Sequence, residues 1–541
     1  MPADWGSLDR LVARADALAG SWGARARAST TVGQERAILR LFGVNGLDAA
    51  GRPLAGAAIE RWLATDPRGL STGIALPFAI ALLEYDLEPQ QLAMDVASGA
   101  VDLSLESELL REPDRRAVAE VEATRLAATA IERIDAERTV RHETIGMLGE
   151  ASRPWLGVTL REPDVDAALD EATSLIEAGI DLIRIEVPIG RELADRMADA
   201  GMEVPEWRPR DHGGGPAGAE RLERSGRAER SDSAPTGSQR ALARLREVID
   251  RAAARRRAYV RLATAAPVLG APEGAVVAVF ERIDLIASDA VAEIIAGAVE
   301  PDRALSDHAF AHRLVRRAGI AILVGPGPLV VAPDLSSGIP SDPTTRSGRA
   351  LALQLLGVTL ARGDRLPTDQ IIVGALPSWL IEEPAPGARA IAEVMVRRAL
   401  FPGHPLAFVE PPAATDRSVL WPFVQTAAAA HAGDIGLVLR AVDLGPDDSL
   451  AAARSARAAS LVAADVSGAV DPGPLRGVAL DHARGMVSAA LETLERLADQ
   501  GWRSVAGDAS VGVRSRSARR DTAIERTEAF DPFESLLGPR G

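Results

Sequence analysis

Two rhythms of apolar and polar positions divide the chain. Up to about residue 150, apolar residues recur every three or four positions, which predicts helices over residues 8–28 and 33–43, the second opening after Thr30 and Thr31 as cap candidates. Breaks fall at Asp66-Pro67-Arg68-Gly69 and Leu87-Glu88-Pro89, and Leu105–Ala136 predicts a long charged helix or helix pair broken at Pro113. From Trp155 the rhythm becomes short apolar run, loop, amphipathic segment. The runs are Trp155–Leu160, Leu182–Val187, Ala258–Thr264, Ile283–Ser288, Ile320–Val324, Gln370–Gly374, Leu406–Val409 and Ile435–Leu439. Helical patterns separate them, among them Asp164–Ala178, Arg240–Arg256, Arg303–Arg317, Ser347–Leu360 and Ala388–Leu400.

Strands buried on both faces read as continuous β-branched and aliphatic runs, as these do. Eight of them alternating with helices predict an α/β fold, a (β/α)8 TIM barrel; a doubly wound sheet, with fewer strands, is the alternative. The expected organisation is a helical N-terminal region over 1–150, the barrel over 151–474, and a C-terminal helix and tail over 475–541. A Gly-, Arg- and Ser-rich insertion at 207–238 interrupts the barrel after its second strand, as a lid or a disordered excursion. A second interruption spans Gly325–Thr345. Near the end, Asp481–Gln500 predicts a strong helix, Arg514–Arg520 is a basic polar stretch, and Phe530 and Phe533 are expected to anchor the tail on an apolar surface.

Composition narrows the chemistry. The 541 residues are 47% hydrophobic and 25% charged, and the formal charge of −15 argues against a general nucleic-acid binder. No apolar run is long enough for a membrane span, and the first twenty residues read as an amphipathic helix, so the expected location is cytoplasmic. The chain has no cysteine, which removes disulfides and thiolate chemistry. It also has no lysine: every cation is Arg, and a Schiff-base lysine would have to come from another polypeptide.

A TIM barrel places its working groups where strands end. The endings are Arg161 and Glu162, Glu186, Thr264, Asp289, Gly325, Glu410, and Arg440 with Asp443. Glu186, Asp289 and Glu410 are the candidate catalytic residues, as acid/base groups or Mg²⁺ ligands; the plain alternative is rim ion pairs closing the core. Gly325-Pro326-Gly327-Pro328 and Gly213-Gly214-Gly215 read as turns, because proline removes donors in the first and no strand precedes the second. His308-x3-His312 lacks a third ligand and predicts a solvated helix face, so no metal site is expected. No Walker, GxSxG or Asp-x-His-x-x-Gly motif is present.

Short matches recur in order along nearly the whole chain. They are Thr30-Thr31-Val32 with Glu35-Arg36 and Leu39-Arg40-Leu41-Phe42-Gly43, Arg257–Leu262, Pro272-Glu273, Glu281-Arg282-Ile283-Asp284, Asp289-Ala290, Ala318-Gly319-Ile320, Leu366-Pro367-Thr368-Asp369-Gln370, Phe401-Pro402, Pro405-Leu406, Pro411-Pro412 and Pro532-Phe533. Together they resemble the lysine 5,6-aminomutase α subunit. That resemblance implies a barrel subunit working with a smaller β-type subunit that holds cobalamin and the lysine for pyridoxal phosphate (PLP). The implied reaction is a radical 1,2-migration of an amino group on an amino acid, using adenosylcobalamin and PLP.

The resemblance also marks departures. Where the family grips the PLP phosphate with an Arg and a Ser, this chain has Val187 and Glu192, flanking a matching Gly190. A family Asn-Tyr-Cys-Ser run aligns with Thr264-Ala265-Ala266-Pro267, a ring-stacking Tyr with Ala292, a nearby Arg with Gly297, and an acidic position with Arg440. Each lost charge-assisted contact removes about 1–3 kcal/mol of binding. Gly190, Arg161 and Arg440 remain as cofactor-binding candidates. Three readings follow, the first two being an aminomutase α-type subunit with an altered PLP site and a non-catalytic paralogue acting as scaffold or regulator. An unrelated barrel enzyme built on the three carboxylates is the third.

Overall fold

The computed structural model describes residues 5–48, 52–160, 165–185, 236–265, 271–295, 300–325, 342–377, 379–380, 383–409, 424, 428, 435–441, 475–504, 523–527 and 530–538. Residues 207–235 of the 207–238 insertion, most of Gly325–Thr345 and the Arg514–Arg520 stretch lie outside them, and residues 236–238 open a helix.

The N-terminal part comprises α1 (Trp5–Ala28), β1 (Ser29–Thr30), α2 (Val32–Leu41), α3 (Leu54–Thr65), α4 (Gly69–Thr72), α5 (Ala75–Tyr85), α6 (Pro89–Ser98), α7 (Leu103–Leu109) and α8 (Pro113–Leu148). Pro113 opens α8 at its first turn, where the missing N–H costs nothing. Thr31 caps α2 by accepting the Gln34 N–H at 3.1 Å.

The barrel follows as β2 (Trp155–Leu160), α9 (Val165–Glu177), β3 (Leu182–Ile185), α10 (Thr236–Arg256), β4 (Arg261–Ala265), α11 (Ala271–Phe280), β5 (Leu285–Ala287), α12 (Ala290–Ile295), α13 (Pro301–Ala318), β6 (Ala321–Val324), α14 (Pro343–Gly363), β7 (Ile371–Gly374), α15 (Pro386–Leu400), β8 (Leu406–Val409) and β9 (Ile435–Ala441). The chain then forms α16 (Leu475–Gln500), β10 (Ile524–Glu525) and α17 (Glu534–Leu537). Strands β2 to β9 pair in order, all parallel, and β9 pairs with β2 to close the barrel.

Alternation sorts the strand residues into two cores. Trp155, Leu182, Ala263, Leu285, Leu323, Ile372 and Ala407 form one apolar cluster in the lumen. Their sequence neighbours Leu156, Ile183, Leu262, Ile286, Ile322, Ile371 and Leu406 join the larger core between sheet and helices. Below the lumen layer the Arg261 guanidinium lies 3.4 Å from the centre of the Trp155 ring and pairs with Glu150.

The matched N-terminal residues are structural. Thr30 Oγ1 donates to Glu35 at 2.6 Å, Glu35 accepts the Ile74 N–H at 2.8 Å, and Arg526 donates to both Thr30 and Glu35 at 3.0 Å. Thr31 donates to Asp307 of α13. The buried charge of Glu35 thereby joins the first helices to the antiparallel pair β1–β10. Arg141 of α8 donates to the carbonyls of Ile283 at 3.3 Å and Gly319 at 3.0 Å, which lie just before β5 and β6, and so fastens the long helix to the barrel underside. Phe533 is fully buried, 6.1 Å from the Phe42 ring, and Phe530 packs beside the same core, so the tail is anchored as its two aromatics predict. No helix among the described residues is long and apolar enough to cross a membrane.

Candidate functional site at the barrel mouth

Above the apolar layer, the lumen positions of the early strands turn polar. Thr159 stands two steps toward the mouth from Trp155, and Arg184 one step from Leu182; they are paired in register on β2 and β3. Both are buried, at 2% and 3% exposure. Gly157, Ala287 and Gly374 take lumen positions on β2, β5 and β7 and contribute at most a methyl group.

Asp289 leaves β5 at the mouth. Its Oδ2 accepts the Gly325 N–H, at the end of β6, at 3.0 Å. A Cβ on Gly325 would lie 2.9 Å from that oxygen, and one on Gly357 of α14 would lie 3.2 Å from Oδ1. The two glycines are what give this carboxylate its place, wedged between the end of β6 and α14.

Ser288, one residue earlier, faces the helix layer. Its Oγ is 2.7 Å from His308 Nδ1 and 3.4 Å from His312 Nε2. His312 Nδ1 lies 2.8 Å from Asp364, and His308 Nε2 lies 3.1 Å from Glu293, off the hydrogen-bond line and so an ion contact. Each ring turns one nitrogen to a carboxylate; with the His308 proton on Nε2 the Ser288 hydroxyl donates to Nδ1, and in the imidazolium Nδ1–H donates to Ser288. Burial pushes His308 down, but Glu293, with help from Asp289 and Asp307, outweighs it and holds the ring above its ordinary value. Burial likewise raises Glu293 against the pull of His308, so the pair retains a proton readily. A cavity of about 20 Å³, room for about one water, borders this cluster and reaches α1 at Gly23 and Ala26.

This corrects the reading of His308 and His312 as a solvated face: they are 2% and 4% exposed. The i,i+4 spacing was legible, but the burial of α13 against α11 and α1 was not. Among the described residues no group of three or more His, Cys, Asp or Glu is placed to hold a metal.

A second buried network supports the mouth from behind. Gln354 donates to the carbonyls of Val324 and Gly374, at 3.1 and 2.7 Å, and Arg397 donates to Gln354 at 2.8 Å and to Gly374 at 3.2 Å. Arg397 is paired with Glu393, both wholly buried. Burial pushes Glu393 up, but Arg397, with His482 and Ser347, holds it below its ordinary value.

Of the sequence-derived site residues, Asp289 is at the mouth as expected. Arg161, Glu186, Gly190 and Glu410 lie outside the described residues. Arg440 lies in β9 in register with Val158. Thr159 and Arg184 are not among the sequence-derived candidates, although Arg184 stands out as a charged residue inside the apolar run Leu182–Val187.

The chain matches the family described as D-lysine 5,6-aminomutase TIM-barrel domain of alpha subunit, over residues 2–201 and 234–430. It belongs to that family. The lysine 5,6-aminomutase alpha subunit of Acetoanaerobium sticklandii is 24% identical over 409 residues, covering 75% of this chain and 71% of the relative. That of Fusobacterium nucleatum subsp. nucleatum is 23% identical over 414 residues, with the same coverage of 75% and 71%. Among solved structures, dihydropteroate synthase from Anaplasma phagocytophilum covers 57% of this chain and 97% of its own, at 14% identity and a TM-score of 0.33. The Coxiella burnetii dihydropteroate synthase covers 58% and 92%, at 12% identity and 0.32. Likeness at that level bears on no functional question.

Proposed function

We propose that this chain is the barrel subunit of an aminomutase, which moves an amino group between neighbouring carbons of an amino acid. In this reading it works with a smaller β-type subunit that carries cobalamin and the lysine for PLP. The observation that supports it most is the family match, which runs through the helical N-terminal part and the barrel together. The absence of lysine agrees, since a PLP-linked lysine must then come from a partner chain.

When bound, PLP and adenosylcobalamin would supply radical chemistry at a substrate amine. The mouth does not fit PLP in the family's manner. Ser288, the hydroxyl beside Asp289, is turned into the helix layer and held by His308, and Asp289 brings a carboxylate to the rim. Val187, Glu192, Ala292 and Gly297 replace the contacts the resemblance implies. Both cofactors are therefore assigned largely to the partner, and no step is routed through PLP on this chain.

Those replacements favour a second reading, a non-catalytic paralogue that keeps the frame and partner surface. PLP retention after gel filtration of the complex with a β-type subunit separates the two. Retention by the unmodified complex supports catalysis. Retention only after Val187→Arg, Glu192→Ser and Ala292→Tyr supports the paralogue, and failure of the two chains to associate contradicts both.

A further inference from the structure

We propose that Thr159 and Arg184 form an oxyanion-binding subsite inside the barrel lumen, for the carboxylate or phosphate of a small ligand entering from the mouth. The first observation is Thr159 itself. Its Oγ1 is buried and has no hydrogen-bond partner among the described residues, and an unpaired buried hydroxyl is costly unless something accepts from it. The hydroxyl sits at a lumen position, on the mouth side of the apolar layer.

The second observation is the guanidinium beside it. Arg184 is the in-register neighbour of Thr159 on the adjacent strand. It engages other groups of the chain, and a guanidinium has five N–H donors, enough to serve them and a planar oxyanion together. A second lumen arginine among the described residues, Arg261, is committed on the underside to Glu150 and the Trp155 ring. The two therefore lie on opposite sides of the apolar layer, with Arg184 facing the mouth side. The third observation is room: Gly157, Ala287 and Gly374 leave lumen positions on three strands without bulk.

A carboxylate or phosphate oxygen there accepts the Thr159 O–H and the Arg184 N–H groups. No bond is made or broken. The inference deepens the aminomutase reading, from which it takes the mouth as the binding face, but its test reads binding by this chain alone.

Isothermal titration of the full chain with inorganic phosphate and with L-lysine tests it, with 1,5-diaminopentane as the carboxylate-free control. Saturable binding of phosphate alone assigns a phosphate ester. Binding of lysine but not of the diamine assigns a carboxylate, and either result supports the subsite. Thr159→Val is expected to weaken binding about tenfold, with the melting temperature unchanged, and Thr159→Ser to restore it. Arg184→Met is expected to abolish binding. If that variant does not fold, the Val and Ser pair decides alone. Binding of neither probe by the wild type, or equal binding by Thr159→Val, overturns the proposal. Amino-group migration in the reconstituted complex is read separately, so either idea can fail while the other stands.

Discussion

The Asp289 carboxylate accepts the Gly325 amide at 3.0 Å, joining the ends of two adjacent barrel strands at the mouth. The contact exists because Gly325 and Gly357 both lack a Cβ that would meet it. A side chain at Gly325 should therefore be penalised through Asp289. Gly325→Ala is expected to cost about 1–3 kcal/mol, and less in an Asp289→Ala background, with a coupling of about 0.5–3 kcal/mol. Urea unfolding of the four proteins measures it. Strict additivity would show that the wedge does not exist.

The Ser288 hydroxyl lies between two buried imidazoles, each backed by a carboxylate. Removing it leaves His308 Nδ1 without its hydrogen-bond partner and enlarges a water-sized cavity. Ser288→Ala is expected to destabilise by about 1–3 kcal/mol, read from the urea midpoint. A change below about 0.5 kcal/mol, the ordinary size for a surface substitution, would contradict the arrangement.

Much of the barrel was legible because parallel strands buried on both faces must be apolar throughout. Trp155–Leu160 and Leu406–Val409 were bounded to the residue, and the others to within about three. The site was less legible. Sequence alternation makes Thr159 and Arg184 lumen residues only once Trp155 and Leu182 are known to face inward, and either face was open to a strand buried on both sides. Ser288 and the two histidines were hidden for another reason: their partners, Glu293 and Asp364, come from segments brought together only by the packing of α12, α13 and α14. Asp289 could be named as a candidate because a carboxylate closing an apolar run is visible without any of that knowledge.

Glu393 and Arg397 form an ion pair with no exposed surface, behind the strand ends they support. Glu393→Gln leaves the guanidinium without its counter-charge and is expected to cost about 3–5 kcal/mol at neutral pH. The folded carboxyl lies below its ordinary value of 4.5. Its contribution is thus fully present above that value and is lost as pH falls through the lower, folded one. The gap between wild type and variant should narrow on acidification below about 4.5. A gap constant from pH 7 to pH 3 in urea titrations would contradict the pairing.

The most direct test of the aminomutase assignment is amino-group migration itself. The chain, a cobalamin-binding β-type subunit, adenosylcobalamin and PLP are combined with ¹⁵N-labelled lysine and other amino acids, and products are followed by ¹⁵N and ¹³C NMR. The expected result is a labelled nitrogen bonded to the neighbouring carbon, dependent on both chains. A stable complex that leaves every amino acid unrearranged would contradict it.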